Sequence, residues 1–360
     1  MNTSRGGWRL IAGVVVMLGA LVLVGRLQGR NLGGDEAGPA GTTTVTAASA
    51  DSTAASGLVV AGRVALPGHA AAVAVGEGAV WVLLEQGTLL RVDPERHRVT
   101  GRLKLGAPTG PLAVGAEAVW VGNGQATVTT RVDPVHLRVT ARLDGYVVAV
   151  AHRMLWSYCC RRDYKPMGFS RIDARTLRPH PPLMLKDASG RRHPVGRFAV
   201  GGGAAWTQVP EQEQVWRVPL AGGRARVIGV SGLAYGLAAD ARAAWVLSGT
   251  SDPGIEPDRT GRLQRLDPRT GEVTATTPLP DLAANLAVGP VLGDDSVWLA
   301  GPHTRLERGG GILLRVDPAT GRVAGWFWTL LGFPQDVLAA GPRGAWVATA
   351  VPELLHVMPA

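Results

Sequence analysis

Several features on which common functional sites depend are scarce or missing in this chain of 360 residues. It has only two cysteines, which are adjacent at Cys159 and Cys160, and only three of its 37 basic residues are lysines. It shows no cysteine and histidine spacing typical of zinc sites, no phosphate-binding glycine loop and no Ser-His-Asp or Cys-His set. The net charge of +9 comes from arginines scattered along the chain without a dense run, which argues against nucleic acid as a partner. We therefore expect no resident cofactor or metal.

The sequence does contain a repeated phrase built around tryptophan. A small or apolar residue, a tryptophan and usually another apolar residue recur at Trp81, Trp120, Trp156, Trp206, Trp245, Trp298 and Trp346. An apolar run ending in a turn precedes the phrase, and Arg-Val-Asp-Pro or a variant follows it, as at 91–94 and 315–318. Repeats of this length indicate an array of identical supersecondary units. Four short apolar runs bounded by Gly, Pro or Asp predict that each unit is a four-stranded antiparallel meander.

Seven such units predict an all-β fold, a seven-bladed β-propeller of four-stranded antiparallel blades. We expect the tryptophans to fill the gaps between blades, since one per blade in a fixed register suits packing better than cofactor stacking. The aspartates of the Asp-Pro phrase suit type I turns as capping residues. The segment 58–66 reads as a lone fourth strand that pairs with the last blade and closes the ring, which would leave no long exposed edge.

The N-terminal part of the chain has a different character. Residues 10–25 carry no charge and follow Arg5 and Arg9, which predicts a cytoplasmic tail at 1–9 and a transmembrane signal-anchor helix at 10–27. A cleaved signal peptide is the alternative, and the lack of a small-x-small site close behind the apolar run favours the anchor. Residues 28–57, rich in small and polar residues, predict a flexible linker. The propeller, at 58–360, is then expected outside the cell membrane of a single-pass protein.

The repeat unit resembles that of a known group of propellers. Its pattern, AVG-x-x-AVWV followed by LLRVDP-x-TG-x-V, is similar to the YVTN-type and virginiamycin B lyase-like repeats, which overlap with quinoprotein-like repeats. The resemblance covers about residues 58–360 and implies a propeller that serves as a small-molecule lyase, a cell-surface binding protein or a sensor ectodomain. The lyases use a histidine general base with a metal ion. The eight histidines here share no register that would carry this set over, and the quinoprotein docking signature is not found.

Candidate ligand-binding residues follow from the topology of a propeller. The loops between strands two and three of each blade share one face with the connections to the next blade. In this sequence the 2–3 loops vary widely in length, as binding loops do. Cationic and aromatic residues on this face suit an anionic or sugar-like ligand, although exposed arginines are more often simply solvated. The candidates of the third loop and the connection after it are Arg161, Arg162, Tyr164, Lys165, Arg191 and His193. Those expected around the mouth of the central channel are Tyr146, Arg197, Tyr235, Asn285 and Asp336.

The adjacent cysteines allow two interpretations. Their Cα atoms are about 3.8 Å apart across a trans peptide, whereas ordinary disulfides prefer about 4.4–6.8 Å. A Cys159–Cys160 bridge would therefore be strained. The alternative is two free thiols that point to opposite sides of a strand.

Together these observations predict a membrane-tethered, extracytoplasmic binding, scaffold or sensor domain that acts through its variable loops. The expected partner is a protein, a cell-wall component or a small molecule. The alternative is a propeller lyase or hydrolase acting on a small molecule, so the sequence leaves open whether the protein is an enzyme.

Overall fold

A computed structural model describes most of the chain from Ala55 onward. The described residues are 55–106, 109–123, 128–145, 147–160, 165–249, 261–279, 282, 284, 287–302, 311–329 and 337–360. None of them belongs to a helix that is long and apolar enough to span a membrane. The expected anchor at 10–27 and nearly all of the expected linker lie outside the described residues.

The described chain forms seven antiparallel sheets. Two strands precede the first complete blade, namely β1 (Ala55–Ser56) and β2 (Leu58–Ala65). Blades one and two consist of β3 (Ala70–Gly76), β4 (Ala79–Leu84), β5 (Thr88–Asp93), β6 (Arg98–Lys104), β7 (Thr109–Val114), β8 (Val119–Asn123), β9 (Val128–Asp133) and β10 (Arg138–Asp144). Blades three and four consist of β11 (Ala149–Ala151), β12 (Met154–Cys159), β13 (Gly168–Asp173), β14 (Pro179–Met184), β15 (Phe198–Gly201), β16 (Ala204–Gln208), β17 (Gln214–Pro219) and β18 (Arg226–Gly229).

Blades five and six consist of β19 (Leu233–Ala239), β20 (Ala244–Gly249), β21 (Gly261–Leu266), β22 (Val273–Leu279), β23 (Val288–Gly293), β24 (Ser296–Pro302), β25 (Gly311–Val316) and β26 (Val323–Thr329). Blade seven begins with β27 (Leu338–Gly341), β28 (Gly344–Ala348) and β29 (Glu353–Pro359). The first strand of each blade neighbours the first strand of the next, and β27 returns to β3. The sheets thus form a closed ring, which confirms the predicted seven-bladed propeller.

The ring is closed by the strand expected to do so. Strand β2 pairs with β29 from Leu58 opposite Pro359 to Ala65 opposite Glu353, and it completes blade seven as its fourth strand.

The sheet structure also begins earlier in the chain than expected. Ala55 and Ser56, placed by the sequence in the flexible linker, pair as β1 with the outer strand of blade six. Gly57, with a φ of 68°, separates the two strands in a conformation that favours glycine.

All seven repeated tryptophans lie in the second strand of a blade and are at most 2% exposed. Burying a tryptophan removes about 150–250 Å² from water, which contributes about 4–6 kcal/mol per residue. The indole N–H of Trp81 donates to the carbonyl of Gly76 at the end of the preceding strand, and Trp120 and Trp206 do the same to their own glycines. The expectation that the tryptophans form the packed framework is confirmed.

A basic residue on the third strand stands opposite each repeated tryptophan, and in three blades, at Arg91, Arg217 and Arg265, it donates to the turn of the next blade. In six blades it is an arginine, in register with the tryptophan: Arg91, Arg131, Arg171, Arg217, Arg265 and Arg315. Arg217 Nε donates to the carbonyl of Pro268 at 2.8 Å, and Arg265 Nε to that of Pro318 at 3.2 Å. Each acceptor lies in the Asp-Pro turn of the following blade. The arginine therefore links a buried tryptophan to the neighbouring blade.

The 3–4 turns that begin with an aspartate are capped by it, as the sequence predicts. In Asp93-Pro94-Glu95-Arg96, one carboxylate oxygen of Asp93 accepts from the backbone N–H groups of Glu95 and Arg96, both at 2.9 Å. These bonds, led by that of the Arg96 N–H, lower the pKa of Asp93 to about 2. Asp133, Asp173, Asp267 and Asp317 cap their turns in the same way.

The seam between blades seven and one differs from the others. Opposite Trp346 stands His356, whose ring is stacked on the indole at 4.2 Å with an interplanar angle of 3°. Its Nδ1 lies 2.9 Å from Nε2 of His97, in the 3–4 turn of blade one. A side chain on Gly62 of β2 would collide with the His97 ring, because a Cβ there would lie 2.2 Å from it. A pair of imidazoles thus replaces the arginine contact at the point where the ring closes.

Protonation of this pair opposes the fold. Burial, followed by the effect of His97, lowers the pKa of His356 to about 4. The His356 Nε2 is buried without a hydrogen-bond partner, and the charge of Arg343, itself paired with Glu95, further lowers the pKa of His356. The unfolded chain binds a proton at His356 near its ordinary pKa of about 6.5, and the folded chain does not until about pH 4. Stability is therefore complete above about pH 6.5 and falls as the pH drops toward 4.

We expect the full-length protein to lose about 2 kcal/mol of stability between about pH 7 and pH 5, seen as a melting temperature lower by several degrees. In the double variant His97→Leu/His356→Phe, position 97 has the leucine that blade two has at the same turn position, Leu137, and position 356 keeps an aromatic ring against Trp346. This variant should lose clearly less stability over the same pH interval. An equal loss in both proteins would show that the acid sensitivity arises elsewhere.

Candidate functional site

The loop face of the propeller, formed by the 2–3 loops and the 4–1 connections, carries the sequence candidates over blades three and four. Lys165 lies between β12 and β13, and Arg191, His193 and Arg197 lie on the connection from β14 to β15. Arg161, Arg162, Tyr164, Tyr146, Asn285 and Asp336 fall outside the described residues, so their roles stay predictions. Tyr235 is half-buried in the first strand of blade five, in a different blade from the group of four.

Backbone hydrogen bonds extend blade three beyond its strands toward this face. The N–H of Met167 donates to the carbonyl of Cys159 at 3.2 Å, that of Leu185 to Met167 at 3.3 Å, and that of His193 to Leu185 at 3.0 Å. Val195 adds a bond to the carbonyl of Pro166 at 2.8 Å. The connection from Leu185 to Arg197 is thus fixed to the sheet as an additional layer, which positions the side chains that it carries.

Asp187 holds the tip of this connection. Its Oδ1 accepts from the backbone N–H and hydroxyl of Ser189 at 2.9 and 2.6 Å and from the N–H of Arg191 at 3.0 Å. Its Oδ2 lies 2.9 Å from Nε2 of His193. The Ser189 hydroxyl, then His193, holds the pKa of Asp187 well below its usual range. Because an ionised carboxylate only accepts hydrogen bonds, the proton of this contact belongs to His193 Nε2.

Sequence reasoning selected His193 and missed Asp187. The signal that could have found it is the stretch Asp187-Ala188-Ser189-Gly190, since Asp followed by Ser and Gly is typical of turns in which the carboxylate accepts from the backbone. The link between Asp187 and His193, six residues apart, depends on the path of the connection and has no periodic signal.

Two buried polar atoms near this connection have no hydrogen-bond partner. His193 packs against the ring of Trp216 with a centroid distance of 5.0 Å, and the indole Nε1 of Trp216 is an unpartnered donor. The Oε1 of Gln208, whose side chain lies against Gly196, is an unpartnered acceptor. Buried groups of this kind are uncommon in folded proteins.

Beside them lies a group of aromatic side chains. Tyr158 meets Phe198 edge to face at 5.4 Å, and Phe198 contacts Phe169 at 4.6 Å and Trp156 at 6.3 Å. Tyr158 is 36% exposed and Phe169 fully buried. The group is anchored in the seam between blades three and four and presents part of Tyr158 to solvent.

Cations outnumber carboxylates on this part of the surface. Five cationic side chains, all exposed, lie on the described part of the loop and connection: Lys165, Lys186, Arg191, Arg192 and Arg197. Between Lys165 and Gln208 the only acidic residues are Asp173, which caps a turn on the opposite face, and Asp187, whose oxygens are engaged as described. The 2–3 loop of blade four, on the same face, adds the exposed Glu211 and Glu213. The arrangement can attract an anion and offers it guanidinium groups whose geometry matches carboxylate or phosphate oxygens. Within the described residues, no group of three or more His, Cys, Asp or Glu side chains is arranged to hold a metal ion.

The two cysteines are unbonded in this structure. Cys159 is the last residue of β12, and burial together with the neighbouring Cys160 raises the pKa of its thiol to about 12. Cys160 is exposed and has a φ of 59°. The structure thus has the free thiols of the second interpretation, with Cys160 beyond the end of the strand.

Asp187→Asn should loosen the connection while leaving the ring intact, because the amide cannot accept all four hydrogen bonds. We expect hydrogen exchange of residues 187–193 to become about tenfold faster or more, with a shift of melting temperature of only a few degrees. Asp317→Asn, which alters a cap on the turn face, is the matched control and should leave exchange at 187–193 unchanged. Unaltered exchange in Asp187→Asn would refute the clamp.

Iodoacetamide should label Cys160 alone in the native protein, giving one adduct per chain by mass spectrometry. The exposed thiol is accessible, whereas the half-buried Cys159 has a raised pKa and stays protonated. Two adducts would contradict the low reactivity of Cys159. No adduct, together with a mass deficit of two hydrogens, would establish the strained bridge instead.

Comparisons with known proteins bear on the fold. No protein-family model matches the sequence, and no curated protein matches it either. Among solved structures, hydrazine synthase of Kuenenia stuttgartiensis is 13% identical with a TM-score of 0.60, over 82% of this chain and 96% of that chain. The β-propeller domain of Cps50 (Swd1) of Myceliophteria thermophila is 10% identical with a TM-score of 0.58, over 84% and 99%. The WD40 domain of Neurospora crassa Pan2 is 10% identical with a TM-score of 0.55, over 84% and 95%. At such identities the likeness shows the fold alone, and the chain is a seven-bladed β-propeller.

Proposed function

We propose that this protein is a membrane-tethered, extracytoplasmic binding domain that recognises an acidic segment of a partner protein through the loop face of blades three and four. The observation that carries the proposal is the set of five exposed cations, four on a connection whose single carboxylate, Asp187, is already engaged, and Lys165 on the loop beside it. The propeller fold, shared with WD40 domains, is commonly a scaffold for binding. The tether and the location rest on the uncharged stretch at 10–25.

The kind of ligand follows from how the cations are placed. They are spread along an exposed connection, which suits an extended anionic ligand better than a small enclosed one. Exposed ion pairs contribute about 0.2–1 kcal/mol each, so several must act together, and their effect weakens with salt. The exposed part of Tyr158 supplies a surface for stacking beside the charges. The YVTN-type repeat resemblance is compatible with such a role, since it implies cell-surface binding proteins.

The test is a fluorescence anisotropy titration of full-length protein in detergent with a labelled peptide of alternating glutamate and tyrosine. Arg191→Glu/Arg192→Glu/Arg197→Glu should weaken binding by about tenfold to a hundredfold. The control Arg175→Glu/Arg269→Glu/Arg322→Glu makes the same change of charge at exposed turn-face positions and should bind as wild type does, within about twofold. Equal weakening in both triple variants would reduce the effect to net charge, and no weakening in the first would refute the site.

The Asp187–His193 pair favours a second candidate function, a lyase or hydrolase with His193 as general base. A carboxylate that fixes the tautomer of a histidine is a recurring arrangement in such enzymes. Turnover of a small ester or lactone by the wild-type protein, lost in His193→Gln with the fold intact, would support this candidate. Unchanged peptide binding in His193→Gln without any turnover by the wild type would favour the binding domain.

A further inference from the structure

A cleft of about 360 Å³ opens on the turn face, formed by the 1–2 and 3–4 turns, between blades six and seven. Its walls include Asp294 and Asp295 from the 1–2 turn of blade six and Arg343 from the 1–2 turn of blade seven. Trp298 of β24 and Arg315 of β25 also line it. The volume falls in the range of sites for small ligands, about 300–1,000 Å³. The cleft lies on the opposite face from the site over blades three and four.

The seam between blades six and seven lacks the acceptor turn that the seams after blades four and five have. The strand-three arginines Arg217 and Arg265 donate to carbonyls in the Asp-Pro turn of the next blade. In blade seven the third and fourth strands are β29 and β2, which come from distant parts of the sequence, so no Asp-Pro turn connects them. Arg315 instead donates its Nε to Ser296 Oγ of its own blade at 2.7 Å. Among the described residues, Arg315 makes no hydrogen bond to the neighbouring blade, and its charge adds to the backbone hydrogen bonds that lower the pKa of Asp317 in its own blade.

The tryptophan of this seam is left without an acceptor as well. Trp298 is 1% exposed, and its Nε1 is buried without a hydrogen-bond partner, whereas the equivalent N–H of Trp81 donates to a glycine carbonyl. The atom lies beside Gly293, where an added Cβ would be 3.5 Å from it. An unpartnered donor and a guanidinium without a hydrogen bond to the next blade therefore line one cleft.

Two other seams with clefts on the turn face differ from this one. The cleft of about 450 Å³ between blades one and two contains Arg91, whose Nη1 donates to the carbonyls of Pro134 and Val135. The smaller cleft of about 200 Å³ between blades two and three contains Arg131, which lies over the ring of Trp120 at 5.6 Å and whose Nε is also buried without a hydrogen-bond partner. The indoles of Trp81 and Trp120 are both hydrogen-bonded. The cleft between blades six and seven thus combines space, a guanidinium that lacks its acceptor turn and an unpartnered indole.

We propose that this cleft binds the carboxylate of a small acid or of a peptide C terminus. The Nη groups of Arg315 would hold the carboxylate in place of the missing turn carbonyl, and the Trp298 N–H and Arg343 would add donors. Asp294 and Asp295 disfavour polyanions and suit a ligand that also carries N–H groups. The site is independent of the function proposed for the loop face.

The experiment uses full-length protein with ¹⁵N-labelled tryptophan and follows the indole N–H signals during titration. The probes are N-acetyl-trialanine, its C-terminal amide and succinate. We expect a carboxylate probe to shift the signal that Trp298→Phe removes, and the amide to bind at least about tenfold more weakly than the free acid. Tighter binding of the acetylated peptide than of succinate identifies a peptide C terminus as the source, and the reverse order identifies a small acid.

Two variants and a control test the assignment of residues. Arg315→Gln should weaken carboxylate binding by about tenfold or more, and the exposed Arg343→Gln, which should not disturb folding, by about threefold or more. Arg265→Gln removes the equivalent arginine of blade five, whose Nε already has its turn acceptor, and should leave binding unchanged. The proposal is overturned if no carboxylate probe binds, if the amide binds equally well, or if Arg343→Gln and Arg265→Gln have the same effect.

Discussion

The contact that organises this molecule is the one between a third-strand cation and the turn of the next blade. The guanidinium of Arg217, for example, lies 5.8 Å from the ring of the buried Trp206. The same arginine donates to a carbonyl in a turn that an Asp cap holds in place. Each element depends on the one before it, since the tryptophan sets the height of the arginine and the capped turn supplies the acceptor. A ring built in this way transmits its geometry from blade to blade, so the closing seam must satisfy the same spacing.

The places where this contact is altered are the ones with distinctive chemistry. At the closing seam His356 and His97 replace arginine and carbonyl, which makes the junction sensitive to acid. Between blades six and seven the turn carbonyl that would accept from the arginine is missing. Arg315 therefore donates within its own blade, and the N–H of Trp298 has no acceptor. The missing acceptor follows from one topological fact, that the fourth strand of blade seven is β2, so no turn joins it to β29. The loop face, which plays no part in these contacts, is free to carry the long connection clamped by Asp187.

How much of this structure the sequence could predict depends on how far apart along the chain the interacting residues lie. The tryptophans, the Asp-Pro turns and the closing strand at 58–66 repeat locally, and periodic local signals are readable from one chain. The His97–His356 contact spans 259 residues, and it involves positions where the repeat has changed beyond recognition. The strand at Ala55 and Ser56 is short and lies in a stretch of small residues typical of linkers. At the site, charge and loop length pointed to Arg191 and His193, but the Asp187 clamp and the unpartnered Trp216 N–H arise from folded geometry.

The central claim is that the N-terminal strand pair completes the ring and thereby fixes the seams around it. It is tested most directly by urea unfolding of a chain that starts after residue 66, with and without a synthetic peptide of residues 55–66. We predict a much lower unfolding midpoint without the peptide and recovery of most of the loss when it is added, because β2 buries Leu58 and Val64 against blade seven. An unfolding midpoint equal to that of the full-length chain, unaffected by the peptide, would contradict the account.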